Sequence, residues 1–390
     1  MKNHEIMGVH YEPIDIIGSM GVWHIAAGAT VIANRGIDEF FGNDDNQILI
    51  DGQIVADIVG LFLGGENTEV SLSKTASVSG GVNGLYFGHS GAFLTNAGTI
   101  TGNSVGVDTA LDNTRILNSG LITGEIGISA FGSISIINQV GGRIAGSRAG
   151  ILGSGGDGPL TLINHGTIIA GPDGVAVFGG ADEDNIVNDG RMIGTVDLLS
   201  GDDRLDLRNG SLRGLLFGNE GDDTLITDNA KYFLSENADQ GVDTVRSTVS
   251  YKLSENVEQL TLLGRRDING TGHSDDNTLT GNAGNNILKG LDGSDDLLGN
   301  RGNDKLLGGG GEDTFHFRSG DGHDVIIDYV HAFDRIELID WDEIRNFHDL
   351  IRNHSHEENG NVIFEAGNDS LTLLHAQISD LEQGDFIFAS

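Results

Sequence analysis

Cysteine is absent from this chain of 390 residues, which excludes disulfide bonds and thiolate metal sites. Proline is scarce, with 3 residues, so the chain has neither the composition of a proline-rich spacer nor that of collagen. Apolar runs are short: residues 25–33 fall well below the roughly 18 residues that a membrane-spanning helix needs. We therefore expect no transmembrane segment. Residues 1–20 lack a charged start followed by an apolar run, so no cleaved N-terminal signal peptide is predicted.

Basic residues are also few: 22 lysines and arginines stand against 58 acids, and the formal net charge is −36. A field of this sign repels nucleic acid and anionic membranes and attracts cations. Glycine, by contrast, supplies 61 residues, and hydrophobic residues amount to 38%. This hydrophobic content is low for a globular core but sufficient for a solenoid, in which each coil buries a few residues against its neighbours. The acids recur beside glycines, which favours a specific cation as partner. The negative net charge excludes nucleic acid as a partner.

One phrase, an asparagine followed by a glycine and an aliphatic residue, repeats at intervals of 20–26 residues. The asparagines are Asn96, Asn118, Asn138, Asn164, Asn188 and Asn209. Self-similarity at this period indicates a solenoid, and the short strand-like runs favour a parallel β-helix with one coil per repeat. Equivalent asparagines should then stack about 4.8 Å apart, with their amides hydrogen-bonded along a ladder.

From residue 179 the turns become acidic. One aspartate recurs every 19–20 residues, each time two positions before an aliphatic residue. These aspartates are Asp184, Asp203, Asp223 and Asp243. Stacked aspartates could be bridged by a cation, but solvated turns are equally compatible with one acidic turn per coil. Both interpretations stay open at this point.

Five nine-residue units follow without a gap from residue 272. Each begins with glycine, carries an apolar residue at position eight and, except in the first unit, has a second glycine at position four. Position six is occupied by Asn277, Asn286, Asp295, Asp304 and Asp313. Because two units complete one coil, residues 18 apart should stack, which places Asp295 over Asp313 and Asn286 over Asp304. Carboxylates one strand spacing apart repel by about 3 kcal/mol at an effective dielectric constant near 20.

A cation would remove that repulsion. Ca²⁺ accepts six to eight oxygens from carboxylates and carbonyls, whereas Mg²⁺ prefers a smaller octahedron and retains its waters. Thiolate ligands are absent, and the units hold almost no histidine. The nonapeptides therefore predict Ca²⁺ as the cofactor.

The nonapeptides resemble the RTX (repeats-in-toxin, hemolysin-type calcium-binding) repeats over residues 272–316, with a degraded sixth unit at residues 320–324. The resemblance implies that the position-six residues, the surrounding glycine carbonyls and Asp324 bind the metal. The implied glycines are Gly281, Gly284, Gly290, Gly293, Gly299, Gly302, Gly308 and Gly311. Asn277 and Asn286 supply uncharged oxygens and Asp275 replaces the first position-four glycine, so the first turns should bind more weakly.

The C-terminal sequence resembles the targeting region that such proteins present to a type I secretion system. This resemblance implies an extracellular protein that is secreted without a cleaved N-terminal signal. We predict an all-β fold, a right-handed parallel β-helix solenoid that continues into a parallel β-roll with a small C-terminal β-rich cap. The expected domains are an N-terminal cap (1–20), the β-helix (21–265), the calcium-binding β-roll (266–325) and a C-terminal cap with the secretion region (326–390).

No catalytic residues are predicted. The favoured function is a structural or adhesive extracellular protein, with a polysaccharide or a cell surface as the candidate target of the β-helix. The alternative is a polysaccharide-active enzyme of the lyase or uronate epimerase type, because β-helices host such activities. A basic and aromatic groove across several coils would favour the enzyme. A small toxin is a third hypothesis, opposed by the lack of long apolar segments.

Overall fold

Short strands joined by turns make up nearly all of the chain, as the alternation of apolar runs with glycine, asparagine and aspartate predicts. The computed structural model describes residues 3–39, 42–153 and 158–389. The chain divides into two compact units, Met1–Gly221 (unit 1) and Asp222–Ser390 (unit 2). The predicted all-β parallel solenoid is confirmed. The right-handed coiling, the β-roll geometry and the domain boundaries at residues 20, 265 and 325 stay predictions.

Unit 1 contains twenty-six strands among the described residues. They are β1 (Asn3–Ile6), β2 (Val9–His10), β3 (Ile14–Ile16), β4 (Val22–Ile25), β5 (Thr30–Glu39), β6 (Gln47–Ile50), β7 (Gln53–Leu63), β8 (Glu69–Leu72), β9 (Ser77–Gly80), β10 (Asn83–Phe87), β11 (Phe93–Asn96), β12 (Thr99–Gly102), β13 (Val105–Thr109), β14 (Thr114–Asn118), β15 (Leu121–Ala130), β16 (Ile134–Asn138), β17 (Arg143–Gly153), β18 (Leu160–Asn164), β19 (Thr167–Ile169), β20 (Val175–Phe178), β21 (Asn185–Asn188), β22 (Arg191–Ile193), β23 (Thr195–Asp197), β24 (Arg204–Asp206), β25 (Ser211–Arg213) and β26 (Leu216–Phe217).

Each coil of unit 1 contributes to three stacks of parallel strands. The first stack runs through β1, β4, β6, β8, β11, β14, β16, β18, β21 and β24. The second includes β9, β12, β19, β22 and β25, and the third includes β10, β13, β20, β23 and β26. The long strands β5, β7, β15 and β17 pass through both of these, with register shifts between Ala33 and Arg35 and between Gly124 and Ile126.

The core of unit 1 is a set of aliphatic columns that point inward from these stacks. In the first stack Leu94, Ile116, Ile136, Leu162 and Ile186 lie in register, one per coil, and are at most 2% exposed. Each coil thus buries its side chains against equivalent residues of the next, and this packing explains how so modest a hydrophobic content supports the fold.

The predicted asparagine ladder is confirmed for five of its six members. The Nδ2 of Asn96 donates to Oδ1 of Asn118 at 2.8 Å, and the same bond continues through Asn138 and Asn164 to Asn188 at 2.6–2.8 Å. The prediction for Asn209 is wrong. The strand register places a buried leucine below Asn188, because Val187 pairs with Asp206, and Asn209 lies in the following turn with φ 66°.

Unit 2 contains sixteen strands among the described residues, one α-helix and two short 3₁₀ helices. The strands are β27 (Thr224–Thr227), β28 (Thr244–Ser247), β29 (Tyr251–Lys252), β30 (Gln259–Leu262), β31 (Gly270–Thr271), β32 (Thr278–Thr280), β33 (Ile287–Asp292), β34 (Asp296–Leu298), β35 (Lys305–Gly310), β36 (Thr314–Arg318), β37 (His323–Ile326), β38 (Arg335–Ile339), β39 (Ser355–Glu358), β40 (Asn361–Ala366), β41 (Asp369–Leu373) and β42 (Phe386–Ala389). The helices are α1 (Phe347–Asn353), η1 (Ile378–Asp380) and η2 (Gln383–Asp385).

These strands form two parallel stacks. One runs through β27, β28, β30, β32, β34, β36, β38 and β42, and the other through β29, β31, β33, β35, β37 and β41. The C-terminal residues therefore continue both stacks, and antiparallel β39 and β40 extend the second. No helix of the described residues is long and apolar enough to cross a membrane.

Candidate metal centre

The nonapeptides stack in the predicted register. In the first stack of unit 2 Thr278 pairs with Asp296, which pairs with Thr314, and in the second Ile287 pairs with Lys305. Each step is 18 residues, so two units complete one coil. The position-eight residues, such as Leu297 and Leu306, are fully buried between the stacks. The position-six residues consequently form two ladders, one beside each stack.

The first ladder is built by a repeated hydrogen bond between a carboxylate and the backbone of the preceding coil. Oδ1 of Asp295 accepts from the backbone N–H of Asn277 at 2.8 Å, and Oδ1 of Asp313 accepts from that of Asp295 at 3.0 Å. Oδ1 of Asp334 accepts from the N–H of Asp313 at 3.1 Å and ends the series. One oxygen of each aspartate is thereby fixed in position.

The second ladder has the same construction. Oδ1 of Asp304 accepts from the backbone N–H of Asn286 at 2.6 Å, and Oδ1 of Asp324 accepts from that of Asp304 at 2.8 Å. The structure thus brings together the predicted site residues of the nonapeptides in two vertical series, and it includes Asp324 from the degraded sixth unit.

The second carboxylate oxygen, Oδ2, of three ladder aspartates is available to bind a cation. Oδ2 of Asp295, Asp304 and Asp313 is buried and accepts no hydrogen bond, although these residues are at most 1% exposed. Leaving a buried acceptor without a hydrogen bond costs about 1–3 kcal/mol, and more for a charged group. A divalent cation with a preference for carboxylate oxygen fits this donor set.

The position-one glycines leave room around these oxygens. A Cβ on Gly290 would contact Oδ2 of Asp295, and a Cβ on Gly308 would contact Oδ2 of Asp313. Gly299 stands in the same relation to Asp304. The absence of a side chain at position one therefore keeps the space beside the free oxygens open for a ligand.

The position-four glycines have a different role. Gly293, Gly302 and Gly311 adopt φ values of 105°, 143° and 142°, a region that L-residues with side chains rarely occupy. A Cβ on Gly311 would also collide with the carbonyl of Gly293, one coil away. These glycines permit the tight turn that stacks backbone carbonyls beside the ladders.

Burial and neighbouring carboxylates make the ionised ladders unfavourable without a cation. Burial raises the pKa of Asp295 to about 7 and that of Asp304 to about 8, and the charges of Asp313 and Asp324 add to these shifts. Burial likewise raises the pKa of Asp313 to about 6 and that of Asp324 to about 7. Near neutral pH the ladders therefore favour either a proton or a metal ion.

The two asparagines at the start of the ladders already use their amides within the protein. Oδ1 of Asn277 accepts from the N–H of His273 at 2.6 Å. Oδ1 of Asn286 accepts from the N–H of Asn282 at 2.8 Å, and its Nδ2 donates to the carbonyl of Ile268 at 2.6 Å. Weaker metal binding in the first turns stays a prediction.

The acidic turns upstream repeat the same bond. In unit 1, Oδ1 of Asp203 accepts from the N–H of Asp184 at 2.6 Å, and both oxygens of Asp184 accept backbone N–H groups, from Leu160 and Gly180. In unit 2, Oδ1 of Asp243 accepts from the N–H of Asp223 at 2.9 Å. Burial raises the pKa of Asp184 and of Asp243 to about 6.

Three acidic residues of this region escaped sequence analysis. The side chain of Glu258 accepts from the N–H of Asp243 at 2.8 Å, and its carbonyl accepts from the N–H of Thr278, so it joins the upstream aspartates of unit 2 to the first nonapeptide unit. Asp334 ends that ladder. Glu236 is buried, and its carboxylate lies with those of Asp223 and Asp243 within a span of 4.8 Å that could hold a metal ion.

A comparison with protein families agrees with this geometry. The family described as "RTX calcium-binding nonapeptide repeat (4 copies)" matches residues 271–306 and 290–326. A comparison with curated proteins found no match. Among solved structures the chain is similar to the extracellular lipase LipA from Serratia marcescens, with 18% identity and a TM-score of 0.25, over 61% of this chain and 41% of the lipase chain. This chain thus spans less than half of the lipase, and so distant a similarity carries no argument about activity.

The fold and the ladders define a calcium-binding β-solenoid. Its nonapeptide segment consists of RTX calcium-binding repeats, and the predicted cofactor, Ca²⁺, is confirmed. Which side chains bind each ion stays a prediction.

Proposed function

We propose that this chain is a secreted calcium-binding protein whose nonapeptide segment folds when Ca²⁺ binds, and that it has a structural or adhesive role outside the cell. The observation that carries the proposal is the row of buried Oδ2 atoms of Asp295, Asp304 and Asp313 that accept no hydrogen bond. In the stacked coils these oxygens need a cation, whereas in an open chain water would solvate them.

The proposed ligands come from three sources. The ladder residues supply side-chain oxygens from Asn277, Asn286, Asp295, Asp304, Asp313 and Asp324. The glycine turns supply backbone carbonyls from Gly281, Gly284, Gly290, Gly293, Gly299, Gly302, Gly308 and Gly311. Bound Ca²⁺ neutralises the ladder charges, while Oδ1 of each aspartate stays on the neighbouring backbone and fixes the coil spacing.

Coupling of metal binding to folding explains how the protein would be exported. Because the ligand set exists only when the coils stack, binding free energy becomes folding free energy. At low cytosolic calcium the ladders repel and the segment stays open, which suits threading through type I secretion machinery with residues 326–390 as the targeting region. At extracellular concentrations, sites of roughly 0.1–1 mM affinity fill. RTX repeat proteins are typically secreted, which supports this order of events.

Far-ultraviolet circular dichroism tests the coupling. The purified chain should gain β signal cooperatively as Ca²⁺ replaces chelator, and an equal concentration of Mg²⁺ should produce little change. A spectrum that is fully β in chelator and unaffected by Ca²⁺ would contradict calcium-coupled folding.

The proposal extends, as a separate step, to Asp184, Asp203, Asp223 and Asp243. These aspartates share the ladder bond of the nonapeptides, and Glu236 adds a third carboxylate beside Asp223 and Asp243. Counting bound ions by equilibrium dialysis distinguishes metal binding from plain acidic turns. A Glu236→Gln substitution should lower the number of ions per chain if this cluster binds calcium, and should leave the number unchanged if it does not.

A polysaccharide-active enzyme is the second candidate, because one short run of residues in unit 1 has the basic and aromatic character that would favour an enzyme. The guanidinium of Arg35 lies 4.4 Å from the ring centre of Phe62, which stacks on Tyr86 with centroids 5.1 Å apart. Asp108, in register with Tyr86, accepts from Nδ2 of Asn83 at 2.9 Å, and burial raises its pKa. Lyase and epimerase assays on uronate polymers, with a Tyr86→Phe variant as control, test this alternative.

A further inference from the structure

One outward face of unit 1 differs from the rest of this acidic chain. It is the exposed side of the second strand stack, from residues 30–32 of β5 to Ser211–Arg213 of β25, and we call it the arginine face. In each of these strands a triplet of consecutive residues pairs with the neighbouring coils. The first and third residues of each triplet point outward, and the second is directed toward the core. The triplets pair without a register shift from one coil to the next. The face is therefore a regular grid about 4.8 Å by 6.8 Å.

No outward position of this grid holds an acid, although the chain has 58 of them. The charged positions are Arg143, Arg191 and Arg213, all exposed. The remaining positions are mainly serine, threonine and small or aliphatic residues. Acids occur beyond the grid: Asp57 and Glu125 lie further along β7 and β15, and others lie in the bordering turns, where Asp189, for example, accepts from His165 at 2.6 Å.

The three arginines also lack carboxylate partners. Among the described residues, arginine–carboxylate pairs form at Arg35, Arg204 and Arg208, each with a nearby aspartate. On the arginine face three guanidinium groups therefore stay available to a ligand.

The spacing of these groups suits an extended anionic ligand. Arg143 and Arg191 lie in one column with Thr167 between them, so their Cα atoms are about 10 Å apart, and Arg213 lies diagonally about 8 Å beyond. A guanidinium group binds a carboxylate through two parallel hydrogen bonds. The serine and threonine hydroxyls between the arginines can donate to and accept from sugar hydroxyls.

We propose that the arginine face binds an anionic polysaccharide, with carboxylate or sulfate groups on the three arginines and sugar hydroxyls on the serine and threonine columns. This inference rests on the proposed adhesive role and names its target class. Nucleic acid is disfavoured, because the face carries no aromatic side chain for base stacking. A lipid surface is disfavoured because the face has no lysine cluster.

Binding of short soluble uronate oligomers to the full chain in millimolar Ca²⁺, measured by calorimetry, tests the proposal. Parallel arms use a sulfated oligosaccharide, a neutral glucan, duplex DNA and anionic phospholipid vesicles. We expect binding of one or both anionic oligosaccharides, weakening with added NaCl, and none of the neutral glucan. The triple variant Arg143→Gln/Arg191→Gln/Arg213→Gln should bind roughly tenfold more weakly.

The matched control is Arg115→Gln/Arg246→Gln/Lys252→Gln, which removes three exposed positive charges from other faces and should bind like the unmodified chain. The proposal is overturned if neither anionic oligosaccharide binds, if both triple variants lose affinity equally, or if DNA or vesicles bind as tightly. Circular dichroism of the arginine-face variant keeps the two proposals apart. Its calcium response should be intact, so that failure of ligand binding leaves calcium-coupled folding untouched.

Discussion

The backbone N–H of Asp295 donates to Oδ1 of Asp313, 18 residues later, at 3.0 Å, while Oδ2 of each carboxylate is buried without a donor. One oxygen therefore fixes the distance between coils and the other is held for a ligand. The bond requires the coils to be stacked, and stacked coils bring the carboxylates together. Ion binding and coil spacing are consequently properties of the same residues.

Removing the ladder charges should abolish the response to calcium. The variant Asp295→Asn/Asp304→Asn/Asp313→Asn keeps the size of each side chain but loses the three free carboxylate oxygens. We expect its far-ultraviolet spectrum to change little between chelator and 10 mM Ca²⁺, a concentration about tenfold above module-type affinities.

The matched control is Asp275→Asn/Asp292→Asn/Glu312→Gln, which removes three exposed acids from the same repeats. It should retain a calcium midpoint within about threefold of the unmodified chain, because exposed charges contribute little. Equal loss in both variants would mean that calcium acts by general screening, and that the ladders are not specific sites.

Without calcium, the nonapeptide segment should be more ordered at acidic than at neutral pH. The pKa of these aspartates is near 3.8 in an open chain, and in the folded ladders burial raises it to about 7 for Asp295, 8 for Asp304 and 6 for Asp313. A raised pKa means that the folded state binds the proton more tightly. Its stabilisation is complete below about pH 4 and is lost as the pH rises from 6 to 8.

Circular dichroism in chelator across this range measures the effect. The β signal should fall as the pH rises, and the Asp295→Asn/Asp304→Asn/Asp313→Asn variant should show a much smaller change. Calcium affinity should rise over the same range, because the metal competes with protons for the same oxygens. A pH-independent spectrum in chelator would show that ladder charge does not control folding.

Repeat spacing determined how far sequence alone could predict this site. Asp295 and Asp313 were placed correctly because the units are nine residues long and two of them make one coil. Glu258 was missed because its coil is shorter, 15 residues from Asp243, and Asp334 because it follows Asp313 by 21. A fixed interval does not detect such coils, although strand register aligns them.

The same limit applied to the asparagine ladder. Five asparagines occur at a strand end and stack, whereas Asn209 shares the local phrase but lies in a turn after a shorter strand. The lone acid Glu236 carries no repeat signal at all. It reaches Asp223 and Asp243 only because the segment between β27 and β28 folds back, which no spacing rule predicts.

A methyl group at position one should weaken calcium binding directly. The Cβ of a Gly308→Ala variant would contact Oδ2 of Asp313, and the backbone at Gly308 needs no positive φ that alanine would strain. Displacing this oxygen should raise the calcium midpoint about tenfold, equivalent to about 1.4 kcal/mol.

Calcium titration followed by circular dichroism measures that midpoint. Gly384→Ala is the control, because a Cβ there meets no atom within 4 Å, and it should leave the midpoint unchanged. An unshifted midpoint for Gly308→Ala would place the ion away from Oδ2 of Asp313.

The asparagine ladder should stabilise unit 1 independently of calcium. Asn138 is fully buried, its Oδ1 accepts from Nδ2 of Asn118 at 2.8 Å, and its Nδ2 donates to Oδ1 of Asn164 at 2.7 Å. An Asn138→Ala variant leaves one buried donor and one buried acceptor without these partners, at about 1–3 kcal/mol each. Thermal unfolding of unit 1 should therefore shift to lower temperature by the same amount in chelator and in calcium. Asn103→Ala, at an exposed position, should leave the unfolding temperature unchanged. An equal shift in both variants would show that loss of the ladder hydrogen bonds is not the cause.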